Sequence, residues 1–170
     1  MKKLMLLAAV AVFGLTNVTA QETTFGAKAG VDLASSKVEV EGISVTGSET
    51  GFYVGVFAQI GLSDEFAFQP EVMYVSVTDA SEIHIPLMAN YSVSEEFSIL
   101  AGPALGILTD SAEGFSSFNY GIEAGASYDI SEQFLVEARY SLGLANLVED
   151  APDGVSAKLS GFYIGVGYKF

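Results

Sequence analysis

Hydrophobic and polar residues alternate along most of the chain beyond residue 20, with a period of two rather than the period of a helix. The stretch 52–60 places Phe, Val, Val, Ala and Ile at even positions, and Tyr, Gly, Phe and Gln at odd positions. Because successive side chains of a β-strand point to opposite faces, this alternation predicts strands with one apolar and one mixed face. The pattern predicts eight strands, over residues 23–34, 50–61, 66–76, 82–92, 97–108, 117–129, 134–146 and 157–170.

A repeated pentapeptide separates pairs of these strands. LSDEF at 62–66, VSEEF at 93–97 and ISEQF at 130–134 lie 31 and 37 residues apart. Serine followed by two polar residues favours a tight turn, and the closing Phe begins the next strand. The other connections are predicted to be longer, more variable loops near residues 35–49, 77–81, 109–116 and 147–156. Short turns at one end and longer loops at the other are typical of a closed antiparallel barrel in an outer membrane, whose short turns face the periplasm.

The first 20 residues have the pattern of a cleaved signal peptide. Lys2 and Lys3 precede an apolar run over 4–15, and the segment ends in the small-residue sequence TNVTA. Such a segment is too short to span a bilayer as a helix and directs Sec-type export. We therefore expect one mature barrel domain over 21–170 in the cell outer membrane. Loss of the two lysines changes the formal net charge from −14 to −16.

Composition agrees with a membrane barrel. Half of the residues are hydrophobic and the mean hydropathy is +0.41, yet beyond residue 20 no apolar run reaches the ~20 residues of a transmembrane helix. The alternating strands of a membrane barrel have this property, because each apolar residue is followed by a residue of the other face and no long apolar run forms. The chain has no cysteine, which excludes disulfides and a lipid-anchored cysteine. Its strong acidity argues against nucleic-acid binding, which requires basic patches.

The mixed faces carry charged residues that the barrel would enclose. Eight strands surround a space about wide enough for side chains alone, and an unpaired buried charge is costly. We therefore expect the lumen to be plugged by an ion-pair cluster. Its predicted members are Lys28, Glu71, Glu123, Glu137, Arg139 and Lys169. Arg139 is predicted to be the centre, because a planar guanidinium can hold two carboxylates at once.

Two further groups of residues bear on the packing of the wall. Pro70, Pro86 and Pro103 lack the N–H that a ladder needs, so we expect them to mark bulges, beyond which the faces would be exchanged. Tyrosines are expected in interfacial girdles and in wall packing. The tyrosines assigned this role are Tyr53, Tyr74, Tyr120, Tyr140, Tyr163 and Tyr168.

His84 is the only histidine of the chain, and alternation places it on the lumen face with Glu82, near the outer end of its strand. A serine hydrolase acting on lipid would need a serine held by this histidine and an orienting acid, and nothing in the sequence pairs them. A zinc site normally needs several His or Cys ligands. We therefore interpret His84 as a hydrogen-bonded lumen residue and predict no catalytic residue, metal or cofactor.

Several short motifs carry a resemblance to a known family. They are QPEVMY at 69–74, IPL at 85–87, LAGP at 100–103, VEARYS at 136–141 with Gly143-Leu144 after it, and the ending GVGYKF at 165–170. With these motifs the mature chain resembles the outer membrane protein beta-barrel domain family, whose members are often labelled porin-family proteins. The resemblance implies an all-β, eight-stranded, antiparallel up-and-down transmembrane barrel of a Gram-negative outer membrane. It also implies contact with outer-membrane lipid, and with the barrel assembly machinery through the terminal Phe170.

Three functions follow from these observations. The first is a non-enzymatic barrel with a filled lumen that is structural or interacts with the exterior, by way of a partner that the sequence does not identify. The second, implied by the family label, is a porin-like channel for passive diffusion. The third is a lipid-modifying hydrolase of the outer membrane that uses His84. Family motifs of strands and turns do not distinguish among them.

Overall fold

The computed structural model describes residues 23–78, 80–109, 114–149, 151–152 and 154–170. The predicted signal peptide, residues 1–20, lies outside the described residues, as do Asp79, residues 110–113, Asp150 and Asp153 of the predicted loops. In the described part of the chain, no helix is long and apolar enough to cross a membrane.

The described residues form eight strands: β1 (Thr23–Val40), β2 (Ile43–Gly61), β3 (Phe66–Val77), β4 (Ala80–Ser92), β5 (Phe97–Leu108), β6 (Phe118–Asp129), β7 (Phe134–Gly143) and β8 (Val155–Lys169). Each strand pairs antiparallel with the next, and β1 pairs with β8, so the sheet closes into a barrel. Closure leaves no sheet edge along the barrel wall. The predicted eight-stranded antiparallel barrel is confirmed.

The repeated pentapeptides form turns of the same geometry, after β2, β4 and β6. In each, the N–H of the first residue donates to the carbonyl of the closing Phe, at 2.7, 2.8 and 2.8 Å. The hydroxyls of Ser63, Ser94 and Ser131 each accept the N–H of that Phe at 3.1 Å. The serine therefore fixes the turn, and the predicted turns are confirmed at one end of the barrel.

The loop predicted over 35–49 is wrong. β1 and β2 stay paired through Val40 and Ile43, and only Glu41 and Gly42 connect them. Their φ angles of 50° and 83° are the left-handed values that a two-residue type I′ hairpin requires, and this turn matches the twist of the strands. The alternation of polar and β-branched residues simply continues through this segment, which therefore remains strand.

This hairpin projects beyond the rim of the barrel. β2 pairs with β3 only from Gly51 onward, whereas β8 accompanies β1 as far as the pair Val40 and Val155. The result is a three-stranded extension of β2, β1 and β8, at the end opposite the pentapeptide turns. We call residues 35–50 the projecting hairpin.

The prolines do not shift the faces. Pairing between β3 and β4 is interrupted after Pro70 and Leu87, and it resumes in the same register. The β4–β5 ladder is interrupted after Pro86 and also resumes in the same register. The β5–β6 ladder is continuous through Pro103. The predicted bulges are therefore wrong: each proline costs hydrogen bonds but adds no residue, so alternation continues past it.

Alternation assigns the faces of the wall correctly. In β2, Phe52, Val54 and Val56 are 55%, 51% and 56% exposed on the outside, whereas Tyr53 and Phe57 are buried inside. The same alternation holds through β7 and β8. An apolar outer wall and a polar interior suit a barrel that is surrounded by lipid.

Candidate functional site

Arg139 lies at the centre of the lumen, on β7, and its side chain is completely buried. Its Nη1 lies 2.9 Å from Glu71 Oε2 and 3.3 Å from Glu123 Oε2, and its Nη2 lies 3.4 Å from Glu137 Oε1. These carboxylates come from β3, β6 and β7. The guanidinium thus links strands on different sides of the barrel through charge-assisted contacts.

Lys28, on β1, supplies a second positive charge to the same carboxylates. Its Nζ lies 2.5 Å from Glu71 Oε2 and 3.2 Å from Glu137 Oε2. The hydroxyl of Tyr53 donates to Glu137 Oε1 at 2.8 Å, and the side-chain amide of Gln69 donates to Glu71 Oε1 at 2.8 Å. Because these groups are buried, such additional donors are what makes the charges tolerable in the interior.

His84 extends this network toward the end with the projecting hairpin. Its Nδ1 lies 2.7 Å from Glu82 Oε1, and its Nε2 lies 2.5 Å from Glu123 Oε1. Glu123 therefore contacts both His84 and Arg139. Among the described residues, no serine is hydrogen-bonded to either ring nitrogen, so the serine–histidine pair of a hydrolase is not formed in this part.

Lys169 does not join the cluster, and in this respect the sequence prediction is wrong. Its Nζ lies 2.6 Å from Asp129 Oδ2. Tyr163 is the β8 partner of Arg139, and Lys169 lies six residues further along β8, a distance of about 20 Å. The remaining predicted members, Lys28, Glu71, Glu123, Glu137 and Arg139, lie together; we call these five residues the central cluster.

Two tyrosines expected in the girdles or the wall lie in the lumen instead. Tyr53 and Tyr163 are buried, and their rings pack edge to face with centroids 5.5 Å apart. A Cβ on Gly165 would lie 2.9 Å from Tyr53 Cζ, so glycine there makes room for the ring. Alternation already places both tyrosines on the lumen face, and this signal should have outweighed the general preference of tyrosine for interfaces.

Other polar lumen residues were not predicted as part of the site. Asn90 donates to Gln69 Oε1 at 3.0 Å and so extends the contacts of Glu71 toward the pentapeptide turns. Asp32 is buried on the same face of β1 as Lys28. Each has the parity of a lumen position, so alternation could have identified them.

The central cluster separates two spaces inside the barrel. A cavity of about 310 Å³, lined in part by Asp32, Glu82 and His84, opens at the end with the projecting hairpin. A smaller space of about 50 Å³, lined in part by Glu137 and Lys169, lies toward the other end. Arg139 is fully buried between them. The described side chains therefore fill the lumen at its middle.

Comparisons with known proteins agree with this architecture. The family model for the outer membrane protein beta-barrel domain matches residues 5–170. Neisserial surface protein A is similar in structure, with 20% identity and a TM-score of 0.55, over 88% of this chain and 100% of that one. The attachment invasion locus protein Ail of Yersinia pestis gives 18% identity and a TM-score of 0.53, over 88% and 99% of the two chains.

A designed transmembrane β-barrel has a comparable likeness, with 15% identity and a TM-score of 0.52 over 86% of this chain and 95% of the design. No curated protein matches the sequence. At these identities the solved structures share the fold with this chain, and function requires evidence from the site itself.

Proposed function

The chain belongs to the outer membrane protein beta-barrel domain family, and we propose that it is a non-enzymatic barrel, closed to solutes, that presents the projecting hairpin outside the cell. The observation that carries this proposal is the central cluster, with the buried Arg139 held by carboxylates of β3, β6 and β7. A barrel whose lumen is filled in this way serves as a membrane anchor and not as a passage for solutes. Such a barrel contacts other molecules at its exposed ends.

The projecting hairpin extends from one of those ends. Its outward face carries Lys37, Glu39, Ser44 and Thr46, all on the side continuous with the outer wall. It lies opposite the pentapeptide turns, and in membrane barrels the short turns face the periplasm. This supports an extracellular position for the hairpin and a role in surface interaction.

Aromatic residues near the pentapeptide turns support a membrane interface at that end of the barrel. Phe66 and Tyr91 pack with ring centroids 4.7 Å apart, and Phe134 and Tyr168 pack at 5.0 Å, all near the pentapeptide turns. Aromatic belts of this kind lie at membrane interfaces. Phe170 is 76% exposed at the same end, and we propose that the barrel assembly machinery contacts it there.

Cysteine labelling tests the proposed orientation directly, because the chain has no cysteine of its own. Thr46→Cys, in the projecting hairpin, and Asp64→Cys, in the first pentapeptide turn, each introduce a single exposed thiol. On intact cells a membrane-impermeant maleimide should label the first variant and reach the second only after lysis. Labelling of only the Asp64→Cys variant on intact cells would show that the orientation is the reverse of the one proposed.

The enzymatic alternative has its own test. A hydrolase of membrane lipid would release fatty acid from phospholipid or lipid A vesicles, and His84→Ala would abolish that release. We expect no release from the unmutated protein, since both ring nitrogens of His84 face carboxylates. Release that depends on His84 would overturn the non-enzymatic proposal.

A further inference from the structure

The cavity at the mouth of the barrel has features that the closed lumen does not require. Its volume of about 310 Å³ falls at the lower end of the range for small-molecule sites. Val75, Val77, Leu108 and Leu159 contribute apolar side chains to its wall. His84, which contacts the central cluster through Glu123, lies at its inner end.

Among the described residues, two buried acceptors in this cavity have no donor. Asp32 is 3% exposed, and among the described residues its Oδ1 has no hydrogen-bond partner. Asn119 is 8% exposed; its amide nitrogen donates to Glu82 Oε2 at 3.4 Å, which leaves its Oδ1 unpartnered within the same part of the chain. Both residues line the cavity. An unmade hydrogen bond at a buried polar atom is costly, so each acceptor indicates a missing donor.

The wall of the cavity is acidic. Asp32, Glu49 and Glu82 line it, and no Lys or Arg is among the described residues of its wall. His84 is already held between Glu82 and Glu123, so it does not pair with Asp32. An acidic wall with two unpartnered acceptors favours a donor that carries positive charge.

We propose that the cavity binds a small primary amine, whose ammonium group donates to Asp32 and Asn119 while its carbon chain lies against Val77 and Leu159. An ammonium group has three donors and no acceptor, which matches a pair of unpartnered acceptors. A polyol would bring acceptors of its own into an acidic cavity. A metal ion fits less well, because in the described residues no group of three or more His, Asp or Glu side chains is placed to hold one.

The probe for this site is 1,4-diaminobutane, with 1,4-butanediol as an uncharged molecule of matched length. Both are water-soluble, so they can be titrated onto the barrel in lipid nanodiscs by calorimetry or ligand-detected NMR. The diamine should bind saturably at one site and the diol should not. Equal binding of the two compounds, or no saturable binding of the diamine, would overturn the proposal and leave the closed barrel untouched.

Variants locate the site. Asp32→Asn keeps the shape of the side chain but removes its charge, and it should weaken diamine binding by about tenfold or more, equivalent to about 1.4 kcal/mol. Glu39→Gln is the matched control, because it removes an exposed acid on the outward face of the hairpin. It should leave the affinity unchanged. Unchanged affinity in a folded Asp32→Asn barrel would overturn the assignment.

A measurement on the unmutated protein keeps the proposal testable if the Asp32→Asn variant fails to fold. The fully N-methylated form of the diamine keeps both positive charges but has no N–H donors. It should bind much more weakly than 1,4-diaminobutane, because the acceptors of Asp32 and Asn119 would again be left unpartnered. Binding of the methylated compound with equal affinity would contradict a site built from hydrogen-bond acceptors.

Discussion

Replacement of Arg139 by Met tests the energetic role of the central cluster. Methionine keeps much of the length of the side chain, so the change removes charge and donors without opening a large cavity. Removing one partner from a buried ion pair costs about 3–5 kcal/mol, because the remaining charge is left unpaired. The side chain of Arg139 is fully buried, as are those of Glu71 and Glu123, so this figure applies here.

The structure also limits the loss to about the cost of one such deletion. After the change Glu71 keeps Lys28 at 2.5 Å, Glu123 keeps His84 at 2.5 Å, and Glu137 keeps Tyr53 at 2.8 Å. Each carboxylate therefore retains a donor. The excess negative charge remains, and this excess is what destabilises the variant.

Urea unfolding of the refolded barrel in lipid, followed by circular dichroism, measures the effect. Lys169→Met is the matched control. Its pair with Asp129 has side chains 17% and 27% exposed, and a partly solvated pair should contribute less to stability than the fully buried contacts of Arg139. Adding Glu71→Gln to Arg139→Met should recover stability, with a coupling of about 0.5–3 kcal/mol. Equal small losses in Arg139→Met and Lys169→Met would refute the clustered-charge reasoning.

Other substitutions test the wall and the space inside it. Val54→Arg, on the lipid face, should cost about 2–4 kcal/mol in a bilayer near the midplane, whereas Val45→Arg on the projecting hairpin should change stability by less than about 0.5 kcal/mol. Equal losses of stability in the same unfolding assay would contradict the placement of Val54 inside the membrane and Val45 beyond it. Gly125→Ala would place a Cβ 2.6 Å from Arg139 Cγ, and it should lower the urea midpoint. Within the described part of the chain, a Cβ at Gly47 would meet only Ser36 Oγ, at 3.1 Å, so Gly47→Ala should leave the midpoint nearly unchanged.

The sequence predicts the barrel well because its evidence is local. Alternation determines the face of every residue in a strand, and the serine of each pentapeptide bonds a Phe only three residues away. Neither signal depends on the rest of the chain. The same signals place Arg139 and Glu71 inside the barrel without any knowledge of their contacts.

The projecting hairpin escaped prediction because its inner face changes character beyond the rim. Even positions of β1 face the lumen, with Lys28 and Asp32 inside the barrel, but with Val38 and Val40 beyond it. In this segment the outward positions carry Lys37 and Glu39, so the apolar outer face by which the other strands were predicted is absent. The Glu41-Gly42 turn was the available signal, since two residues between β-branched runs indicate a hairpin.

Lys169 was misassigned for a different reason. Alternation gives the face of a residue but not its height along the barrel axis. That height depends on the stagger between neighbouring strands, which the pairing of β8 with β7 and β1 reveals. Lys169 has the correct face for the central cluster and the wrong level, so it pairs with Asp129 near the rim.

Planar-bilayer recording of the pure, unmutated protein tests most directly whether the central cluster closes the lumen. With Arg139 fully buried between the two interior spaces, the bilayer should show no steady conductance above background at moderate voltage. The Arg139→Met variant serves as a comparison, because any leak it adds would come from loosening the cluster. Large, steady, nanosiemens-class currents from the unmutated barrel would contradict a closed lumen and establish a porin-like channel instead.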